Sequence, residues 1–199
     1  DAIAKKDAAP VLQSKSSKKV ALSGLYTIGA AGDYATLTAA VADFNSAPIT
    51  GAVTFELLDA TYTAETFPIV INANAGSSAA NTLTVKPATG VNAVISGSGT
   101  AILKINGADY VTIDGSNNGT SSDNLTLNNT NGTAGDSPVV AWVASTATDG
   151  ADHVTFKNVK FLGFNPSITV VSLVVSGPTL GGSGTIPNNY LTVESNVFN

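Results

Sequence analysis

One short motif limits what this chain can fold into more than any other feature. An apolar residue, Thr and a second apolar residue recur at Val53-Thr54-Phe55, Leu83-Thr84-Val85, Val111-Thr112-Ile113, Val154-Thr155-Phe156 and Leu191-Thr192-Val193. The last three share a lead-in: Ala108-Asp109-Tyr110, Ala151-Asp152-His153 and Asn188-Asn189-Tyr190. The central Thr residues lie 30, 28, 43 and 37 positions apart, too irregular for a propeller but suited to coils whose loops vary in length. A second apolar run follows in several repeats (Ala93-Val94-Ile95, Leu125-Thr126-Leu127, Val159-Lys160-Phe161), and a third lies within 101–105, 139–143 and 168–175. Three short strands per repeat, with no helix between them, describe a three-sided parallel β-helix of about five coils.

Period two along the first strand turns the apolar pair inward and the Thr outward, so the residue after the triplet also faces out. That position reads Glu56, Lys86, Asp114, Lys157 and Glu194. Coils stacked ~4.8 Å apart turn these residues into a column of alternating charge that favours one register.

The only helical period falls at residues 33–45, where Asp33 is placed to cap and Leu37, Ala40, Val41 and Phe44 form one apolar stripe. That stripe needs a surface to cover. Residues 1–24 read as a basic arm or linker: the first 19 hold Lys5, Lys6, Lys15, Lys18 and Lys19 against two acids, whereas the remainder carries a net charge of −8. The β-helix domain then occupies 25–199, with coils from about residue 51. A chain that opens at Asp1 without Met is expected to be processed or partial, which is compatible with secretion.

Composition narrows the chemistry. All nine basic side chains are Lys, so the fork that grips phosphate or carboxylate bidentately is missing, and the body is acidic. This argues against nucleic acid as a partner. With no Cys and a single His153, thiolate metal sites and cysteine nucleophiles are excluded. No apolar run approaches the ~20 residues of a membrane-spanning helix.

The segments Tyr26-Thr27-Ile28-Gly29, Gly32-Asp33-Tyr34-Ala35-Thr36-Leu37, Gly51-Ala52-Val53-Thr54-Phe55 and Ala60-Thr61-Tyr62-Thr63 resemble the opening of right-handed parallel β-helix proteins of the pectin-lyase-like superfamily, in particular large secreted bacterial surface and adhesin-type proteins. The resemblance covers roughly residues 25–199. It implies a right-handed coil and a helix that caps the first turn. Sugar-cleaving and sugar-eliminating members of that superfamily use clustered carboxylates, often calcium, and an Arg or Lys; this chain has no Arg, and its body lysines are Lys86, Lys104, Lys157 and Lys160.

Several constellations are candidates for chemistry. Asp109 and Asp152 occupy equivalent lead-in positions and fall side by side on neighbouring coils, as a hydrolytic pair would, although a lead-in Asp also satisfies turn amides. Asp114, Asp136, Asp149 and Asp152 supply loop oxygens for calcium, but none matches a calcium-loop spacing. No cofactor is otherwise expected. Trp142 is placed either to stack on a sugar or to pack under a loop. His153 shares its position with Tyr110 and Tyr190 and predicts a ring column. Asn118-Gly119-Thr120, Asn124-Leu125-Thr126, Asn128-Asn129-Thr130 and Asn131-Gly132-Thr133 match the N-glycosylation acceptor pattern, which a sequence rich in Asn and Thr produces readily.

The reading that follows is an extracellular structural protein at the cell surface, a filament or adhesin subunit that carries no catalytic residues. It would join copies of itself head to tail through Val197 and Phe198, the helix face of Leu37, Val41 and Phe44, and the arm residues Lys15, Lys18 and Lys19. The alternative is a carbohydrate-binding or polysaccharide-degrading β-helix, in contact with surface polysaccharide near Trp142, Asp109 and Asp152. The charge column yields a test of its own: Lys86→Glu is expected to lower stability in low salt more than Thr84→Val does, by about the 0.2–1 kcal/mol of an exposed pair. Equal losses on thermal melting would count against the column.

Overall fold

The computed structural model describes residues 21–133, 137–163 and 171–199; Lys15, Lys18, Lys19, Asp136 and Ile168 lie outside the described residues. The chain begins with strand β1 (Leu22–Ile28) and helix α1 (Leu37–Ser46). It then winds through β2 (Ile49–Leu57), β3 (Thr61–Tyr62) and β4 (Ile69–Asn72), and through β5 (Leu83–Pro87), β6 (Ala93–Gly97) and β7 (Leu103–Asn106). Next come β8 (Val111–Asp114), β9 (Leu125–Asn129) and β10 (Val139–Ala144), then β11 (Thr155–Lys157), β12 (Val159–Gly163) and β13 (Val171–Ser176), and finally β14 (Thr192–Glu194) and β15 (Val197–Phe198).

β1 pairs with β2, and from β2 on each strand pairs with the one three places later, always in parallel, which builds three sheets: β1-β2-β5-β8-β11-β14, β3-β6-β9-β12-β15 and β4-β7-β10-β13. This is a three-sided parallel β-helix, and parallel crossovers of this kind run right-handed as a rule. The triplet register holds residue for residue: Thr54 lies beside Thr84, Thr84 beside Thr112, Thr112 beside Thr155 and Thr155 beside Thr192. Val53, Phe55, Leu83, Val85, Val111, Ile113, Val154 and Phe156 point inward and are buried, and the Thr residues between them face out. The first strand begins at Leu22, inside the span read as an arm, because Leu25 and Tyr26 pair with Thr54 and Phe55 although no triplet marks them.

The helix starts four residues later than its apolar period predicts. Thr36, not Asp33, is the N-cap, and its hydroxyl accepts from Ala39 N at 3.1 Å. Asp33 instead accepts from Thr27 N and Thr27 Oγ1 at 2.8 and 2.9 Å. It is committed there because the chain turns tightly after β1: a Cβ on Gly32 would lie 2.5 Å from Thr27 O. A helix of ten residues is marginal in water, so packing must hold it. Leu37, Val41 and Phe44 are at most 2% exposed, each contributing about 1.5–3 kcal/mol by burial.

Three side chains finish this end of the solenoid. The buried Glu65 carboxylate accepts from Leu37 N at 2.7 Å, Thr38 N at 2.6 Å and Thr38 Oγ1 at 2.5 Å, filling the open N-terminus of α1. Asn45 donates to Val70 O at 2.7 Å and accepts from Asn72 N at 2.9 Å, so its amide stands in for a further strand beside β4. Asn74 donates to Phe44 O and Ala47 O at 2.7 and 2.9 Å and accepts from Ile49 N at 3.1 Å, closing the helix C-terminus onto β2. Glu65→Ala is expected to cost about 2–3 kcal/mol, since it strands buried helix donors, with Glu65→Gln recovering part of the loss. Urea unfolding measures it; a loss under about 0.5 kcal/mol, the size of an ordinary surface change, would show that water replaces the carboxylate.

Candidate functional site

Stacked coils bring equivalent side chains together in rows, and most of the candidate residues fall into three of them. The charge row resolves into two ion pairs: Lys86 Nζ to Glu56 Oε1 and Lys157 Nζ to Asp114 Oδ2, both at 3.2 Å. It is not a continuous ladder. The β5–β8 pairing ends at Val85 and Ile113, one residue short of Lys86. Asp114 is also engaged by Ser116 N at 2.9 Å and Asn158 Nδ2 at 3.0 Å. Glu194 stands beside Lys157 in register without forming a pair among the described residues.

The lead-in row is a backbone-binding ladder. Asp109 Oδ1 accepts from Asp152 N at 2.8 Å, and Asp152 Oδ1 accepts from Asn189 N at 2.6 Å. Asn188 Oδ1 accepts from Ala151 N at 2.8 Å beside it. Each carboxylate therefore holds the next coil by its amide, the turn-satisfying role open to a lead-in Asp. Burial pushes the Asp109 carboxyl above its usual range, and the nearby Asp149 and Asp152 add to that against the opposing hydrogen bond from Asp152 N.

Next to this ladder runs the ring row. Tyr110, His153 and Tyr190 stack with centroids 4.5 Å apart and planes within 8° and 6° of parallel. All three corner residues are left-handed, with φ of 56°, 55° and 54°. A non-glycine residue pays about 1–2 kcal/mol for that conformation, and offset ring contacts of about 0.5–1.5 kcal/mol each offset most of it. His153 and Tyr190 are exposed, Tyr190 at 72%. Where a corner comes between the first and second strands, Gly115 is required, because a Cβ there would lie 1.7 Å from the Asn158 carbonyl of the next coil.

Trp142 sits on the outer side of β10 yet is only 8% exposed. Lys104 Nζ lies 3.9 Å from its ring centroid, Val174 and Leu180 pack against its cluster, and Nε1 donates to Ser176 Oγ at 2.8 Å. The indole is thus packed under a loop, and no ring face is open to a sugar. Burial lowers the Lys104 ammonium from its ordinary range. Leu37, Val41 and Phe44, placed by the sequence in an assembly interface, face the interior instead, because the helix spends its whole apolar stripe on the coil beneath it. Val197 and Phe198 form β15; the Phe198 ring stacks on Phe161 at 4.8 Å and is 47% exposed.

Of the calcium candidates, Asp114 and Asp152 are bound up in the rows just described, and no three His, Cys, Asp or Glu side chains converge among the described residues. Sequence reasoning missed Glu65, Asn45 and Asn74, which belong to no repeat. Asp109→Asn is expected to raise stability near neutral pH. Asn keeps the acceptor for Asp152 N, as Asn189 holds the equivalent place, and removes a carboxylate that the fold makes harder to ionise. The sign follows from linkage: a carboxyl raised in the folded state stabilises the fold as pH falls through its titration and weakens it above. The variant's advantage should therefore fade in acid; an advantage independent of pH would refute the account.

No family model matches the chain, and no curated protein matches it. Two solved structures of the pectin methylesterase from Aspergillus niger, one deglycosylated and one with an N-acetylglucosamine stub, are similar at a TM-score of 0.49 and 16% identity. Each similarity covers 89% of this chain and 59% of that chain, so the chain spans less than two thirds of the enzyme's length. The β-helix itself rests on the three sheets described above.

Proposed function

We propose that this chain is the β-helical part of an extracellular protein that binds neutral polysaccharide along one lateral edge. The observation that carries this reading is the ring row of Tyr110, His153 and Tyr190, half-buried at Tyr110 and exposed at His153 and Tyr190, beside the Asp109, Asp152 and Asn189 row. Sugars are recognised by aromatic surface against their C–H groups and by carboxylates and amides against their hydroxyls. Stacking closes the ring faces between neighbours, so the aromatic contact falls on the ring edges and on Tyr190, 72% exposed at the end of the row, while the polar groups repeat at the coil spacing. Asp109, Asp149 and Asp152 make the edge acidic, and Lys86 and Lys157 are held in ion pairs elsewhere, which disfavours uronic acid polymers. An extracellular setting rests on the resemblance to secreted surface proteins.

Polysaccharide hydrolysis is the second reading, favoured by one observation: Asp109, whose carboxyl burial holds in the protonated form to higher pH, lies one coil from Asp152. Affinity electrophoresis separates the readings. Gels containing neutral glucans or xylans are expected to retard the protein while polygalacturonate gels do not, and His153→Ala combined with Tyr190→Ala should abolish the retardation. Retardation that survives the double variant would overturn the binding site, and new reducing ends lost in Asp109→Asn would favour hydrolysis.

A further inference from the structure

The chain holds three Asn-Gly steps, Asn106-Gly107, Asn118-Gly119 and Asn131-Gly132, and the fold treats them very differently. We infer that Asn118 is a self-modification site, converted to Asp or isoaspartate by attack of the Gly119 amide nitrogen on the Asn118 side chain. Asn118 Oδ1 accepts three hydrogen bonds, from Ser116 Oγ at 3.0 Å, Thr120 N at 3.0 Å and Thr120 Oγ1 at 2.6 Å. Ser116 is 3% exposed, and its Oγ also takes Thr120 N at 3.1 Å, so the cradle is anchored from below.

In the reaction the Gly119 nitrogen bonds to Asn118 Cγ and gives up its proton. The Cγ–Nδ2 bond breaks and ammonia leaves, closing a succinimide. Water then opens the ring at either carbonyl, giving Asp or isoaspartate. Negative charge develops on Oδ1 during the attack, which is where the three donors point, as in an oxyanion hole.

The other two participants are free to react. Among the described residues nothing accepts from Asn118 Nδ2 or from the Gly119 N–H, and both residues are exposed. Gly119 has φ of +75°, and nothing lies within 4 Å of where a Cβ would sit. The other two steps are more tightly held. Asn106 Nδ2 donates to Asn72 Oδ1 at 2.9 Å, and the Gly107 N–H, the would-be nucleophile, donates to Ala144 O at 2.8 Å. Asn131 is 6% exposed, and its Nδ2 reaches Gly99 O at 3.4 Å.

The product keeps the cradle filled: an Asp carboxylate accepts the same three donors more strongly than the amide does. Conversion therefore adds one negative charge to the loop between β8 and β9 while its hydrogen bonds persist. The isoaspartate branch adds a backbone bond at an exposed corner.

The test is peptide mapping by mass spectrometry after incubation in mildly alkaline buffer, with native and urea-denatured samples side by side. Asn118 is expected to convert ahead of Asn106 and Asn131 in the native protein, and faster there than in the denatured chain, where all three steps should converge. Thr120→Val, which removes one side-chain donor, should slow conversion by about tenfold, less than the roughly hundredfold or more that one donor contributes in a water-excluded site. Native conversion at Asn118 no faster than in urea would overturn the inference, as would a Thr120→Val protein with a native circular dichroism spectrum and an unchanged rate.

Discussion

Parallel pairing at a fixed register puts each residue of one coil directly over its equivalent in the next, about 4.8 Å away, and this constraint organises the rest of the molecule. A residue type that attracts its own kind at that distance is rewarded at every turn. Thr over Thr, ring over ring, and Asn over Asn or Ser all occur: Asn124 donates to Asn92, Asn128 to Ser96 and Asn106 to Asn72. A charge cannot stack on its like, and the Glu56, Lys86, Asp114 and Lys157 row alternates sign for that reason. The carboxylates of Asp109 and Asp152 solve the same problem differently, each turning to the backbone amide of the next coil.

Stacking by itself leaves the first coil with open strand edges, and the chain answers with side chains in place of backbone. Asn45 imitates a strand for β4, Asn74 joins the helix C-terminus to β2, and Glu65 supplies the acceptors that the first turn of α1 lacks. Amides suit the two edge positions, since each carries both a donor and an acceptor. A carboxylate suits the helix N-terminus, where only N–H groups are open and the dipole is positive.

What was legible in the sequence is what repetition writes there. The triplets fixed the register of the long sheet, and the ring row followed from Tyr110, His153 and Tyr190 sharing one offset. Features that occur once were not legible. Asp33 and Thr36 both suit a helix cap, and only the tight turn at Gly32, a tertiary fact, assigns Asp33 to Thr27. Glu65 meets α1 across 28 residues of chain, and no local pattern marks such a contact. The helix stripe shows in the sequence as an apolar face that needs a surface, but not which surface; a single apolar face of ten residues serves one, and here the first coil takes all of it.

The same repetition shapes where chemistry is available. A side chain in a row is held by neighbours above and below, so its geometry is fixed but its bonding capacity is largely spent: Asp114 serves Lys157, Ser116 and Asn158 at once. Residues with capacity to spare lie where rows meet solvent at a corner, as His153 and Tyr190 do, or in loops that leave the coil, as Asn118 does. Binding along an edge asks only that exposed groups be evenly spaced, which stacking supplies without further design. Catalysis asks for unlike groups converging on one point, and a ladder of like groups does not provide that. Asp109 comes nearest, because burial separates its titration from that of ordinary carboxylates while its row keeps it in place.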